Sequence, residues 1–232
     1  YDTYTKATPQ DAKGFAKLAA AHKATGNTRE ALLNAEKSFS IAPDDEVLAL
    51  ALSIELSSKN FEGALAMVNG QISRTPERAV LYLLLGKVHA SANDTAKAEQ
   101  ALKTALEKDD KLYSAYVELG NLYTRKGSID EAIGQYKESV KVNPRALASY
   151  MLIGMLSEKK GDFNGAIDSY KKAIEIEPRF APAANNLAWL YSEKGGNMGV
   201  AVTLAETARG LAPNEAAISD TLGWIYYEKQ AY

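Results

Sequence analysis

Apolar and polar positions along this chain recur in one long frame, not in short local alternations. Within residues 113–146, Leu119, Leu122 and Tyr123 fall on one face of a first helix, and Ile133, Tyr136 and Val140 on one face of a second. Gly127 stands where the first helix should stop, because glycine tolerates the left-handed backbone that ends many helices. Pro144 stands where the second must stop. The frame then returns 34 residues later. Tyr116-Val117-Glu118-Leu119-Gly120-Asn121-Leu122-Tyr123 is answered by Tyr150-Met151-Leu152-Ile153-Gly154, and Gly127, Ala132, Tyr136 and Pro144 by Gly161, Ala166, Tyr170 and Pro178. A fixed period of this size marks a helical repeat array and predicts an all-α fold.

Sliding the frame along the chain predicts units at 12–44, 45–78, 79–112, 113–146, 147–180 and 181–215, a partial seventh at 216–232, and one continuous array over 12–232. The twentieth position is alanine in all six complete units: Ala31, Ala64, Ala98, Ala132, Ala166 and Ala201. The eighth is small in every unit but one, as Ala19, Gly86, Gly120, Gly154, Ala188 and Gly223, with Leu52 the exception. Small residues at both places let two antiparallel helices approach closely. Proline closes the unit at Pro43, Pro76, Pro144, Pro178 and Pro213, with Asp110 in that place in the third. Residues 1–11 fit no unit; they are read as a short lead or as the remnant of a preceding repeat. The start at Tyr1 and the stop at Tyr232, partway through a unit, are expected of a processed or excised piece of a longer protein.

The pattern aromatic–x2–Leu–Gly–x2–Tyr, followed by Ala, Tyr, Ala or Ser and Pro at these offsets, resembles the tetratricopeptide repeat over residues 12–232. The resemblance implies a right-handed superhelical solenoid of antiparallel helix pairs. Two departures stand out. The first two units carry Phe15-Leu18-Ala19-His22 and Leu48-Ala51-Leu52-Glu55 at the motif positions, and the sixth has an extra residue within Gly195-Gly196-Asn197 that should lengthen its turn.

Composition narrows the chemistry. Apolar residues make up 46% of the 232 and charged residues 24%, and the formal charge is -2, so no electrostatic case exists for nucleic acid as a partner. No apolar run reaches roughly 18 residues, so no membrane insertion is expected. Cysteine is absent, which removes disulfides, thiolate chemistry and cysteine metal sites. The two histidines, His22 and His89, both fall at the eleventh position, where Tyr123 and Tyr191 stand in other units. Each is read as a ring replacing a packed aromatic, and a metal site shared between them would have to bridge two repeats. No G-x-S-x-G elbow, P-loop, G-x-G-x-x-G or EF-hand loop is present, and no cofactor or catalytic activity is expected.

The resemblance implies instead a partner lying in a concave groove lined by the first helix of each unit. Carried over by position, the candidate groove residues are Leu83, Lys87, Val117, Asn121, Arg125, Met151, Met155, Asn185, Trp189, Asp220, Trp224 and Tyr227. Both tryptophans and Met155 occupy the ninth position of adjacent units. Such a row suits an adaptable apolar contact surface, or it packs each ring against the next first helix; both readings stand. The family's two-carboxylate clamp needs lysine at the fifth and asparagine at the ninth position of one helix, and here Asn121 has Val117 and Lys87 has Leu83. A peptide segment or helix of a protein partner is therefore the expected ligand.

Asn185-Asn186-Leu187-Ala188-Trp189-Leu190-Tyr191 and Asp220-Thr221-Leu222-Gly223-Trp224-Ile225-Tyr226-Tyr227 are also similar to strings in bacterial repeat proteins of the cell envelope and of exopolysaccharide export. That leans toward periplasm or envelope without excluding cytoplasm. Three functions remain: a non-enzymatic protein–protein interaction scaffold in a bacterial multiprotein assembly, the regulatory or targeting arm of a larger enzyme whose catalytic domain lies outside this sequence, or a solenoid that self-associates through its truncated last repeat.

Overall fold

A computed structural model of the chain describes residues 10–194 and 196–230. Residues 1–9 of the expected lead, Gly195 of the lengthened turn, and residues 231 and 232 lie outside the described residues. Thirteen helices and no strands are found among the described residues. In chain order they are α1 (Ala12–Ala24), α2 (Thr28–Ile41), α3 (Asp45–Ser57), α4 (Phe61–Arg74), α5 (Ala79–Ser91), α6 (Thr95–Lys108), α7 (Tyr113–Lys126), α8 (Ile129–Val142), α9 (Leu147–Lys160), α10 (Phe163–Ile176), α11 (Ala181–Glu193), α12 (Met198–Leu211) and α13 (Ala216–Gln230). The protein is an all-α array of helix pairs.

One turn is built repeatedly. At its fifteenth position the backbone enters the left-handed region, at Gly26 (φ 77°), Lys59 (60°), Asn93 (60°), Gly127 (78°) and Gly161 (84°). The next N–H then reaches back to the carbonyl of the eleventh residue: Asn27 to His22, Asn60 to Glu55, Asp94 to His89, Ser128 to Tyr123 and Asp162 to Ser157, at 2.8–3.0 Å. This is the closure that satisfies a carbonyl left open at a helix end. In three of these five turns the residue that donates it also caps the following helix with its side chain: Asn60, Asp94 and Asp162 accept from the N–H groups of Gly63, Lys97 and Gly165, whereas Asn27 and Ser128 make no such bond. In the sixth repeat Gly196 makes the same closure to Tyr191 at 2.9 Å, and the cap moves one residue on, to Asn197. The insertion therefore divides between Gly196 and Asn197 two functions that Asn60, Asp94 and Asp162 each perform alone.

The chain divides into two compact units, one reaching to Glu118 and one starting at Leu119, with the division inside α7. In the first unit, Ala19, Ala31, Ala35, Ala51 and Ile54 form one buried cluster, and Leu48, Leu52, Ala64, Val68, Leu81, Leu84 and Val88 another. In the second, Tyr170 is buried with Ala166, Leu187 and Leu190, while Ala188, Ala201, Val202, Ala205 and Ile225 form a further cluster. All six alanines at the twentieth position are fully buried. Any larger side chain there would push the paired helices apart.

The eighth position explains itself by what lies over it. A Cβ on Gly86 would come within 2.6 Å of Leu102, one on Gly120 within 2.6 Å of the Tyr136 ring, and one on Gly154 closer still to the Tyr170 ring. Where the first helix carries alanine, the second does too: Ala19 shares a cluster with Ala35, and Ala188 with Ala205. Five of the six hairpins thus fill their interior with one large side chain or two small ones, while the second packs Leu52 and Val68 in one buried cluster. Burying a ring such as Tyr170 contributes about 1.5–3 kcal/mol.

Candidate functional site

In the second unit, α9, α10, α11 and α13 surround a cavity of about 440 Å³. Met155, Glu158 and Lys159 come from α9, Phe163 and Tyr170 from α10, Asn185, Asn186 and Trp189 from α11, and Thr221 from α13. Lys194, just past the end of α11, completes the wall. The helical spacing that stacks residues three and four apart brings Met155, Glu158 and Lys159 to one face of α9 and Asn185, Asn186 and Trp189 to one face of α11.

Polar groups in this wall are connected. The Tyr170 hydroxyl donates to Glu158 Oε2 at 3.0 Å and accepts from Asn186 Nδ2 at 3.3 Å. Asn185 Nδ2 in turn donates to Asn186 Oδ1 at 3.4 Å. Burial raises the Tyr170 phenol well above the usual tyrosine range; the Asn186 hydrogen bond opposes this and the Glu158 carboxylate adds to it. The hydroxyl therefore stays a donor across the physiological range. The Lys194 ammonium lies 4.7 Å from the centre of the Phe163 ring and 6.0 Å from that of Trp189, within reach of a cation–π attraction.

The expected groove residues divide by placement. Met155, Asn185 and Trp189 are brought together in the cavity. Met155 is 49% exposed, whereas Trp189 is half-buried and packs against the cluster around Tyr170 while also lining the cavity. Met151 packs against that same cluster. Trp224 does not line the cavity; it is 45% exposed, its Nε1 donates to Glu193 Oε1 at 2.7 Å, and its ring lies 5.8 Å from that of Tyr227, itself 65% exposed. Asp220 and Arg125 are exposed. Asn121 accepts the Tyr136 hydroxyl at 2.7 Å, so its oxygen serves the hairpin interior. In the first unit Lys87 is exposed and pairs with Glu118 at 3.2 Å, Val117 is half-buried, and Leu83 is buried, with little surface open to a ligand.

Phe163, Tyr170, Asn186, Lys194 and Thr221 were absent from the positional list. Tyr170 belongs to the repeat motif itself and reads as framework, Asn186 stands at an unspecified position of that motif beside Leu187, and Lys194 lies in a turn outside the first-helix positions. Elsewhere, His22 and His89 are half-buried, and burial lowers the His89 imidazole below its usual value. No group of three or more His, Cys, Asp or Glu suited to a metal ion occurs among the described residues, and none of their helices is long and apolar enough to cross a membrane.

Residues 28–205 match the family model of the tetratricopeptide repeat protein 21 C-terminal ARM domain. Similar solved structures include a chain of the APC/C hetero-tetramer Cut9-Hcn1, 18% identical with a TM-score of 0.64, covering 97% of this chain and 44% of that one. MamA is 23% identical with a TM-score of 0.61, over 70% of this chain and 94% of that one. YrrB, a TPR protein with an unusual peptide-binding site, is 18% identical with a TM-score of 0.59, over 80% and 96%. At these identities the likeness is one of fold. The chain spans less than half the length of the Cut9-Hcn1 chain it matches. No curated protein sequence matches it.

Proposed function

The chain belongs to the tetratricopeptide repeat family, and from that premise we propose that it is a non-enzymatic protein–protein interaction scaffold that holds a peptide segment of a partner in its second unit. The carrying observation is the cavity itself. Met155 and Trp189 offer apolar surface beside amide and ammonium groups, and an apolar wall with a few placed polar groups is what a recognition pocket requires. Peptide binding by YrrB is a property of that protein and lends the reading support by fold alone. A bacterial envelope assembly as the setting rests on the strings at 185–191 and 220–227.

The test is affinity capture from the source organism with the immobilised chain, quantified by mass spectrometry against Trp189→Ala and Trp224→Asp. Partners lost from Trp189→Ala while circular dichroism stays helical support the reading. Equal capture by both variants and the parent would overturn it.

A second reading, self-association, is favoured by the exposed Trp224 and Tyr227 on α13. Sedimentation equilibrium across a concentration series tests it, and a strict monomer removes it.

A further inference from the structure

The hydrogen bonds in the cavity wall all run in one direction. Asn185 donates to Asn186, Asn186 to Tyr170, and Tyr170 to Glu158. Such a chain ends on a carboxylate and leaves an acceptor at its head. That acceptor is Asn185 Oδ1, which is buried and has no hydrogen-bond partner among the described residues. A buried polar atom without a partner is uncommon in a folded protein and calls for a donor.

The charges are as unequal as the hydrogen bonds. Glu158 is held by the Tyr170 hydroxyl, and Glu193, at the end of α11, is held by the Trp224 indole. Among the described residues no carboxylate pairs with Lys159 or Lys194. Lys159 also borders a neighbouring cavity containing Asp130 and Glu131, where Asp130 is taken by Lys160. Asp220 is exposed and does not line the wall, although the next residue, Thr221, does. Two ammonium groups, of Lys159 and Lys194, stand in the wall against one carboxylate, Glu158, whose hydrogen bond from the Tyr170 hydroxyl leaves its charge in place, so the net charge of the cavity is positive.

Narrowing the peptide-scaffold reading above, on which it rests, we propose that the cavity recognises an extended peptide segment carrying an internal Asp or Glu beside an apolar side chain. The backbone N–H of the segment supplies the donor for Asn185 Oδ1. Its carboxylate lies toward Lys159 and Lys194, and the adjacent apolar side chain rests on Met155 and Trp189. An internal residue fits because the wall is built from four helices in turn, so a chain crossing it has lining on either side of the contact.

The test is a titration of the full chain, followed by two-dimensional amide NMR, with three acetylated and amidated peptides: Gly-Leu-Glu-Leu-Glu-Leu-Gly and its Gln and Lys counterparts at the Glu positions. The Glu peptide is expected to move the Trp189 indole and Asn185 side-chain signals and to bind roughly ten-fold more tightly than the Gln peptide, an advantage that shrinks in high salt. Lys159→Ala combined with Lys194→Ala should reduce the Glu peptide to the level of the Gln peptide while helicity is retained. Equal binding of the Glu and Gln peptides, with Trp189 still responding, would overturn the charge preference and leave the scaffold reading intact. Tighter binding of the Lys peptide, or no response of Trp189 and Asn185 to any of the three, would overturn the proposal outright, and the capture experiment would then judge the scaffold reading separately.

Discussion

Gly154 on α9 lies directly against the ring of Tyr170 on α10, with no room for a methyl group between them. Gly154→Ala should therefore force the ring or the helix to move and destabilise the second unit by about 1–3 kcal/mol. Gly134, inside α8, has nothing within 4 Å of where its Cβ would be. There the same substitution only removes glycine's backbone freedom and should stabilise by about 0.5–1 kcal/mol. Urea midpoints of the two variants should move in opposite directions.

Lys59 holds a left-handed backbone (φ 60°) at the turn position where Gly26, Gly127 and Gly161 stand in other repeats. A side chain with a Cβ costs about 1 kcal/mol in that region. Lys59→Gly should raise the thermal midpoint of the first unit, and Gly161→Ala should lower that of the second. Calorimetry resolves both, and an unchanged midpoint for Lys59→Gly would mean that the turn is held by other means.

Tyr170 keeps its proton in the folded protein to higher pH than in the unfolded chain, first because it is buried. Above the ordinary tyrosine value of 10.0 the unfolded chain binds fewer protons than the folded one, so stability falls as pH rises, while the contribution is fully present below that value. Urea midpoints measured between about pH 9 and pH 11 should decline less steeply for Tyr170→Phe than for the parent. Parallel declines would show that the phenol does not titrate differently on folding.

Trp224 is oriented by Glu193 through a single hydrogen bond of 2.7 Å. Both residues are exposed. Glu193→Ala should free the indole at a cost of no more than about 1 kcal/mol in stability. In a Trp189→Phe background, acrylamide quenching of the remaining tryptophan should increase.

The repeat frame was legible because its determinants are local and recur: the alanine at the twentieth position, the glycine turn and the closing proline each act within one hairpin. The cavity was only half legible. Met155, Asn185 and Trp189 could be placed by position, since helical spacing alone puts them on first helices. The chain from Asn185 to Glu158 could not, because it joins residues on three helices and uses Tyr170, which reads as framework, and Asn186, at a position the repeat motif leaves unspecified. Leu83 shows the converse: its motif position suggested an open surface, but exposure depends on the neighbours' side chains, and it is buried.

The matching of large with none, or small with small, across five of the six hairpins also bears on how such a chain can be rearranged. Second helices cannot be exchanged between hairpins of the two kinds: a helix bearing a tyrosine where α12 has Ala205 would set its ring against the methyl of Ala188, and one bearing an alanine where α10 has Tyr170 would leave a hole over Gly154. Duplication or recombination that cuts between the two helices breaks this match, whereas a cut at the closing proline preserves it. The heritable module is the hairpin, and its boundary is the proline turn.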